Sequence, residues 1–374
     1  MINTLSKGIG AALAVCALAA PPVAAQSTSS FRQALSSVPI GSVAFDRPYV
    51  ELEFGDPEAA LNIVDLRNEA GLPAQDPYVA HLSALPLMFQ QSLVLVERDA
   101  IIAALGITPF DLGASLTLSA PPNRLATVEL AAEPLAALHA AMDASDSVTM
   151  EQRGGADVAW VGSQDYAINL DLRDTTNPFG GMLGLSGRYL FTETGIAWSP
   201  GWPAIEAVAS GGAPLATDPR LAAIVDVLDA ANADMGSVLR YANGVVADPS
   251  QIPAFAQANL GTAAIALNAL MTFDLATPES NIGLMVLTFE PETDVTALTA
   301  TAQSVFAEGL SVSARRPYSV IFPDGTTVTA HPGDVPAISI MSSAAAEEDM
   351  LPNRPANRLT TLLISGDLQY ILNP

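Results

Sequence analysis

Three histidines, His81, His139 and His331, are the side chains of this sequence best suited to move a proton near neutrality or to hold a metal. They lie far apart in the chain, and none has a second histidine nearby. Two have an acid within local reach: Asp143 follows His139 by four residues, and Asp334 follows His331 by three. One imidazole and one carboxylate make half a metal site or part of a triad. His139 lies in the alanine-rich stretch from Leu135 to Ala144, where a helical surface pair with Asp143 is expected. His331 precedes the turn Pro332-Gly333.

The other candidates have local explanations. A nucleophilic serine would sit in Gly-x-Ser-x-Gly between a strand and a helix. The nearest strings are Gly184-Leu-Ser186-Gly187, which leads into a strand, and Ala209-Ser210-Gly211-Gly212, which ends a helix. Gly180-Gly181 and Gly211-Gly212 read as turns and a helix cap, since no phosphate-binding pattern follows them. Asp171 and Asp174 are a carboxylate pair of the kind glycoside hydrolysis uses, but Arg173 between them reads as a solvated strand end. Asp229, Asn232 and Asp234 before Gly236 offer oxygen ligands out of calcium-loop order, and Glu347-Glu348-Asp349 reads as a solvated loop. Trp160 and Trp198 belong to strand patterns and to the core. Any of the three could line a ligand groove, and Trp202, between Gly201 and Pro203, is the one whose exposure would tell. The catalytic residues are unknown from sequence, and no metal site, cofactor-binding set or cofactor is expected.

Composition narrows the chemistry further. Lys7, the apolar run from Ile9 to Ala20, Pro21-Pro22 and the small residues Val23-Ala24-Ala25 have the layout of a secretory signal peptide. Cleavage is expected after Ala25, leaving a mature chain from Gln26 in the periplasm or the medium. Leu13-Ala14-Val15-Cys16 resembles a lipobox, but Val15 is bulky where a small residue is wanted, and a cut there would fall inside the apolar run. A lipid anchor at Cys16 is therefore the secondary reading. Cys16 is the only cysteine and Lys7 the only lysine, so the mature chain has neither. That excludes disulfides, thiolate nucleophiles, Schiff-base lysines and phosphate-loop lysines. The formal charge of -24 becomes -25 without Lys7, and nucleic acid is excluded as a partner because it needs basic patches. The expected partner is a protein or small-molecule ligand of unknown identity.

The elements that must position these residues are announced by their punctuation. Asp56-Pro57, Asp76-Pro77, Asp218-Pro219 and Asp248-Pro249 each place a capping carboxylate before a proline at the first helical position. After Asp218, the residues Leu221, Ile224, Val225 and Leu228 form one helical stripe. A second helix is predicted from Glu292 to Gly309, with Val295, Leu298, Ala302, Val305 and Phe306 on one face. Strands are predicted at Tyr49 to Phe54, Leu125 to Leu130, Tyr166 to Leu172, Ile282 to Phe289 and Ala337 to Met341. Hairpins are predicted over Tyr189 to Trp198, around Pro323-Asp-Gly325 with Ser319 to Phe322 as its first strand, and over Leu362 to Leu372. The uncharged stretch from Pro253 to Phe273 contains Gln257, Asn259, Gly261 and Asn268. It reads as a buried helix running into a strand, and no membrane span is expected in the mature chain.

An internal echo organises the whole. Leu118, Pro121, Leu125, Leu130 and Glu133-Pro134 recur at a common offset of 157 residues as Leu275, Pro278, Ile282, Leu287 and Glu290-Pro291, which reads as a duplication. The phrases Ser37-Val38-Pro39, Tyr49-Val-Glu-Leu-Glu53, Gly187-Arg-Tyr-Leu-Phe191, Gly195-Ile-Ala-Trp198, the helix from Trp202 to Ser210 and Pro214-Leu-Ala-Thr-Asp-Pro-Arg220 resemble a group of exported bacterial proteins built from two similar α+β halves. That group has no established activity, so the resemblance implies a fold and no chemistry. The expectation is an α+β protein: signal peptide 1–25, flexible lead 26–36, first half 37–213 and second half 214–374. Each half is expected to be an antiparallel sheet with helices on one face. The expected function is a non-catalytic binding module or envelope scaffold. The alternative is a hydrolase assembling Asp, Glu, Ser or His from both halves.

Overall fold

The structure, a computed structural model, describes residues 23–43, 49–87, 98–172, 179, 184–247, 267–346 and 353–372. The signal-peptide core, Asp174, Gly180-Gly181, Asp248-Pro249, residues 253–266 and Glu347-Glu348-Asp349 lie outside them. The helices in chain order are α1 (Val23–Ser36), α2 (Pro57–Glu69), α3 (Pro77–Ser83), α4 (Arg98–Leu105), α5 (Ala132–Asp143), α6 (Trp202–Ser210) and α7 (Pro219–Met235). They continue with α8 (Val295–Glu308), the single turn α9 (Tyr318–Ile321), α10 (Arg354–Ile364) and α11 (Asp367–Leu372). The first strands are β1 (Tyr49–Gly55), β2 (Leu112–Ala120), β3 (Asn123–Leu130), β4 (Thr149–Arg153), β5 (Ala156–Val161), β6 (Gly187–Phe191) and β7 (Gly195–Ser199). Then come β8 (Val238–Ala247), β9 (Leu267–Ala276), β10 (Ser280–Phe289), β11 (Thr327–His331) and β12 (Ala337–Ala345).

Local signals act where the sequence places them. The Asp56 carboxylate accepts from the Ala59 amide at 2.9 Å, and Asp76 and Asp218 cap α3 and α7 in the same way. Leu221, Ile224, Val225 and Leu228 are buried along α7, and Leu298, Ala302 and Phe306 along α8. β6 and β7 form the expected hairpin, with Phe191 opposite Ile196.

The α+β class holds, but among the described residues all strands join one antiparallel sheet of 12 in the order β11-β12-β10-β9-β8-β1-β2-β3-β7-β6-β5-β4. The β1–β8 ladder, paired from Tyr49 opposite Ala247 to Gly55 opposite Tyr241, joins the strands of the first half to those of the second. Helices cover both faces, contrary to the one-faced expectation. Against one face, α1, α6 and α7 bury Phe31, Leu35, Ile205 and Leu228 over Leu52, Phe54, Leu118, Phe273 and Leu284. On the other, α8 to α11 cover β10, β12 and β11, while α5 covers β3 and β5. β9 and β10 are therefore buried on both sides, which is why they read as nearly unbroken apolar runs.

Four local expectations give way. Residues 26–36 are no flexible lead but most of α1, whose Phe31 ring lies 4.9 Å from Phe54; serine and threonine in its first turns hide the apolar stripe. Tyr166 to Leu172 makes only a bridge from Ile168 to Leu185 and a turn of 3-10 helix. The turn at Pro323-Asp-Gly325 joins α9 to β11, and β11 pairs with β12 instead. Leu362 to Leu372 is helical, because Asn353 caps α10 through the Ala356 amide and Gly366, at φ 77°, turns the chain into α11. Residues 212–217, which span the expected boundary between the halves, are bonded to the first: Ile40 N donates to Ala213 O at 2.9 Å, Leu215 N to Val38 O at 2.7 Å, and Leu215 is buried.

The echo has a structural counterpart. Leu118 pairs with Leu125 across β2–β3, and Leu275 with Ile282 across β9–β10. A helix follows each hairpin. Glu133-Pro134 lies inside α5, whereas Glu290-Pro291 precedes α8.

Candidate functional site

The histidines do not converge. His81, at the end of α3, is buried under the Phe110 ring with Nε2 at 2.6 Å from Pro109 O. Burial lowers its pKa against the opposing pull of that carbonyl. A neutral ring donating from Nε2 fits, and it holds the 3-10 turn Pro109–Asp111. His139 packs against Phe191 with the rings tilted by 55° and approaches Asp157 of β5 at 3.9 Å, not Asp143. His331 ends β11, the opposite edge strand of the sheet.

Most buried polar side chains are occupied in joining elements. Arg188 donates to Val161 O at 2.8 Å, Gly187 O at 3.0 Å and Asp165 Oδ1 at 3.0 Å. Asp165 Oδ2 accepts the Trp202 amide at 3.1 Å, tying β6 to α6. Trp202 is thus no groove wall: Arg153 lies 3.4 Å from its ring centroid and Arg188 5.1 Å. Trp160 lies 5.8 Å from Arg188, and Trp198 bonds the Tyr189 hydroxyl. Arg67 of α2 donates to the carbonyls of Thr277, Pro278 and Ser280, with burial drawing its pKa down to about 10. Asn353 binds Asp274 Oδ1 at 2.7 Å and Ile282 O at 2.9 Å.

The proposed acid sets separate likewise. Asp229 holds Arg32 at 2.6 Å, Asn232 Oδ1 accepts from Ser237, and Asp234 is exposed, so these residues close the end of α7 around Gly236. Asp171 sits in its 3-10 turn, Ser186 bonds Pro200 O, and Ser210 ends α6. Among the described residues no group of three metal-ligating side chains forms, and no helix is long and apolar enough to cross a membrane.

One concave site does draw on a predicted residue. α7 crosses β8, β9 and β10 and meets the near side of β12, while the β11–β12 turn rises beside it. Between them lies an open cleft of about 480 Å³. Its helical wall is Ala222, Ala223, Asp226, Val227 and Ala230 behind Pro219; its other wall is the turn from His331 to Val335 with Ala337. His331 and Asp334 come together here as their spacing predicts. His331 Nε2 lies 2.8 Å from Ser339 Oγ, and burial lowers its pKa, so at neutral pH it offers a neutral imidazole. Asp226 is bound to Arg32 at 3.3 Å, the longer of that arginine's two contacts. The sequence reading missed the wall on α7. Its signal is a stripe of small residues and one acid at 219, 222, 223, 226 and 230, beside the apolar stripe.

No protein-family model matches the chain, and no curated protein matches it. Among solved structures it is weakly similar to TP0453. Crystal forms I, III and IV of that protein give TM-scores of 0.36, 0.39 and 0.38 at 10% identity. The matches cover 87% of this chain and 96–98% of the other.

Proposed function

We propose that the chain is an exported, non-catalytic binding protein, with the cleft between α7 and the β11–β12 turn as its ligand seat. The observation that carries this reading is that cleft: small apolar side chains on both walls, with His331, Asp226 and Asp334 as its polar groups. Apolar walls with few polar groups are the usual composition of a small-molecule site. Asp226 can turn to a ligand without stranding Arg32, because Asp229 keeps that guanidinium. The recurrence of a hairpin followed by a helix at one sequence offset supports descent from a duplicated unit, and the layout of residues 1–25 supports export.

Native mass spectrometry of the protein from its own host tests both points. The expected spectrum has a chain beginning at Gln26 and a bound mass that is lost on denaturation. Ala223→Trp, which fills the cleft, should abolish the bound mass and leave the melting temperature near its original value. A bare wild-type chain, or bound mass retained by Ala223→Trp, would overturn the cleft assignment. A lipidated Cys16 would overturn the cleavage site.

A further inference from the structure

The surface loop after α8 is unusually well fixed. Leu310 and Pro317 form an isolated bridge, Ser311 N donates to Arg316 O at 2.8 Å, and Arg315 N donates to Ser311 O at 2.9 Å. Arg315 adopts φ 52°, a left-handed conformation costly for a residue with a side chain. Behind the loop, Asp367 is 2% exposed. It accepts from the Val312 amide at 2.7 Å, the Ser313 amide at 3.2 Å, and the hydroxyls of Ser311, Ser313 and Ser365 at 2.7, 2.6 and 3.1 Å. Burial alone would push this carboxyl up. The hydroxyl and amide donors outweigh it and hold the group below its ordinary value.

The outer side of this loop differs from the rest of the molecule. Arg315-Arg316 is the only adjacent pair of Lys or Arg in a chain of formal charge -24. Both side chains are exposed, and among the described residues neither has an ion-pair or hydrogen-bond partner. Arg32, Arg153, Arg188, Arg220 and Arg240, by contrast, each hold a carboxylate. Leu310, Val312, Val320 and Tyr370 are 62%, 50%, 56% and 40% exposed; these four make up half of the exposed large apolar side chains among the described residues. Val320 lies just past the bridge, and Tyr370 one helical turn beyond Asp367.

We propose that this loop is a docking surface for an acidic, apolar segment of a partner protein. Guanidinium forks match carboxylates in bidentate geometry, and a cationic loop rimmed with apolar side chains complements a segment carrying both features. The pre-set loop conformation lowers the ordering cost of binding. Exposed Glu308 and Asp324 flank the loop in sequence. Against a broad anionic bilayer these carboxylates add repulsion beside the arginines, whereas a single chain segment can engage the arginines alone. A twofold contact with a second copy would set the two arginine pairs against each other.

A photo-reactive benzophenone side chain in place of Val312, in the full chain expressed in its host, tests the surface. Irradiation should give one protein adduct whose cross-linked peptide carries paired Asp or Glu beside apolar residues. R315E/R316E should reduce the adduct by on the order of tenfold, the effect of losing charge-assisted hydrogen bonds. R315K/R316K should retain more of it than the charge reversal does, and both variants should melt as the parent does. An adduct on phospholipid, on a second copy of this chain or on a peptide without acids would overturn the proposal. So would an adduct indifferent to R315E/R316E, or no adduct.

Discussion

Asp56 is both a helix cap and a buried acid. Burial, opposed by the Ala59 amide and the Ser30 hydroxyl and reinforced by Glu58, pushes its pKa up to about 6. Glu129 is raised too, first by burial and then by Asp56 and Glu58. A carboxyl raised in the folded state binds more protons there than in the unfolded chain. Its stabilising share is therefore fully present below pH about 4 and is lost as pH rises to about 6. Asp56→Asn keeps the capping oxygen and removes the titration. Urea unfolding across this window should show the wild type losing about 3 kcal/mol from this group, and Asp56→Asn losing little. Equal pH profiles would mean that Asp56 ionises normally. The local role of Asp56 was legible because Asp-Pro at a helix start is a short-range signal. Its burial was not, since that comes from elements distant in the chain.

At the scale of elements, α10 shows how a helix signal is lost beneath an apolar run. Leu362-Leu363-Ile364 suggests a strand, while the deciding residues stand earlier, with Asn353 as cap and Pro355 in the first turn. The helix then docks closely onto β10. A Cβ added to Gly283 would lie 2.5 Å from Ala356 N and from Pro355 C. Gly283→Ala should destabilise the protein by about 2 kcal/mol through this backbone clash. Hydrogen exchange should quicken across 354–364 before it does in β1 or β8; uniform quickening would refute so local an effect. The candidate cleft was half legible for a related reason. His331 and Asp334 stand together in one turn, but their facing wall, Ala222 to Ala230, lies about a hundred residues earlier and only the strand order brings it near.

At the scale of the molecule, the two sequence halves meet along β1 and β8, and the 213–215 segment is bonded to 38–40. Cutting the sheet between β1 and β8 would expose two long strand edges, so the halves are expected to unfold together. Calorimetry should give a single transition whose van't Hoff and calorimetric enthalpies agree; two separable transitions would contradict this. Antiparallel pairing was legible in the hairpins, where partners are neighbours in sequence. The order of the 12 strands was not, because the β1–β8 contact depends on backbone pairing and leaves no local pattern. That ladder also sets a timetable. Tyr49 is synthesised long before Ala247, its partner across the seam, so β1 must wait with one side open while nearly two hundred further residues emerge. Contacts of such long range form slowly, and an open edge invites wrong pairing in the interval. A chain built this way gains from being kept extended until its second half has arrived.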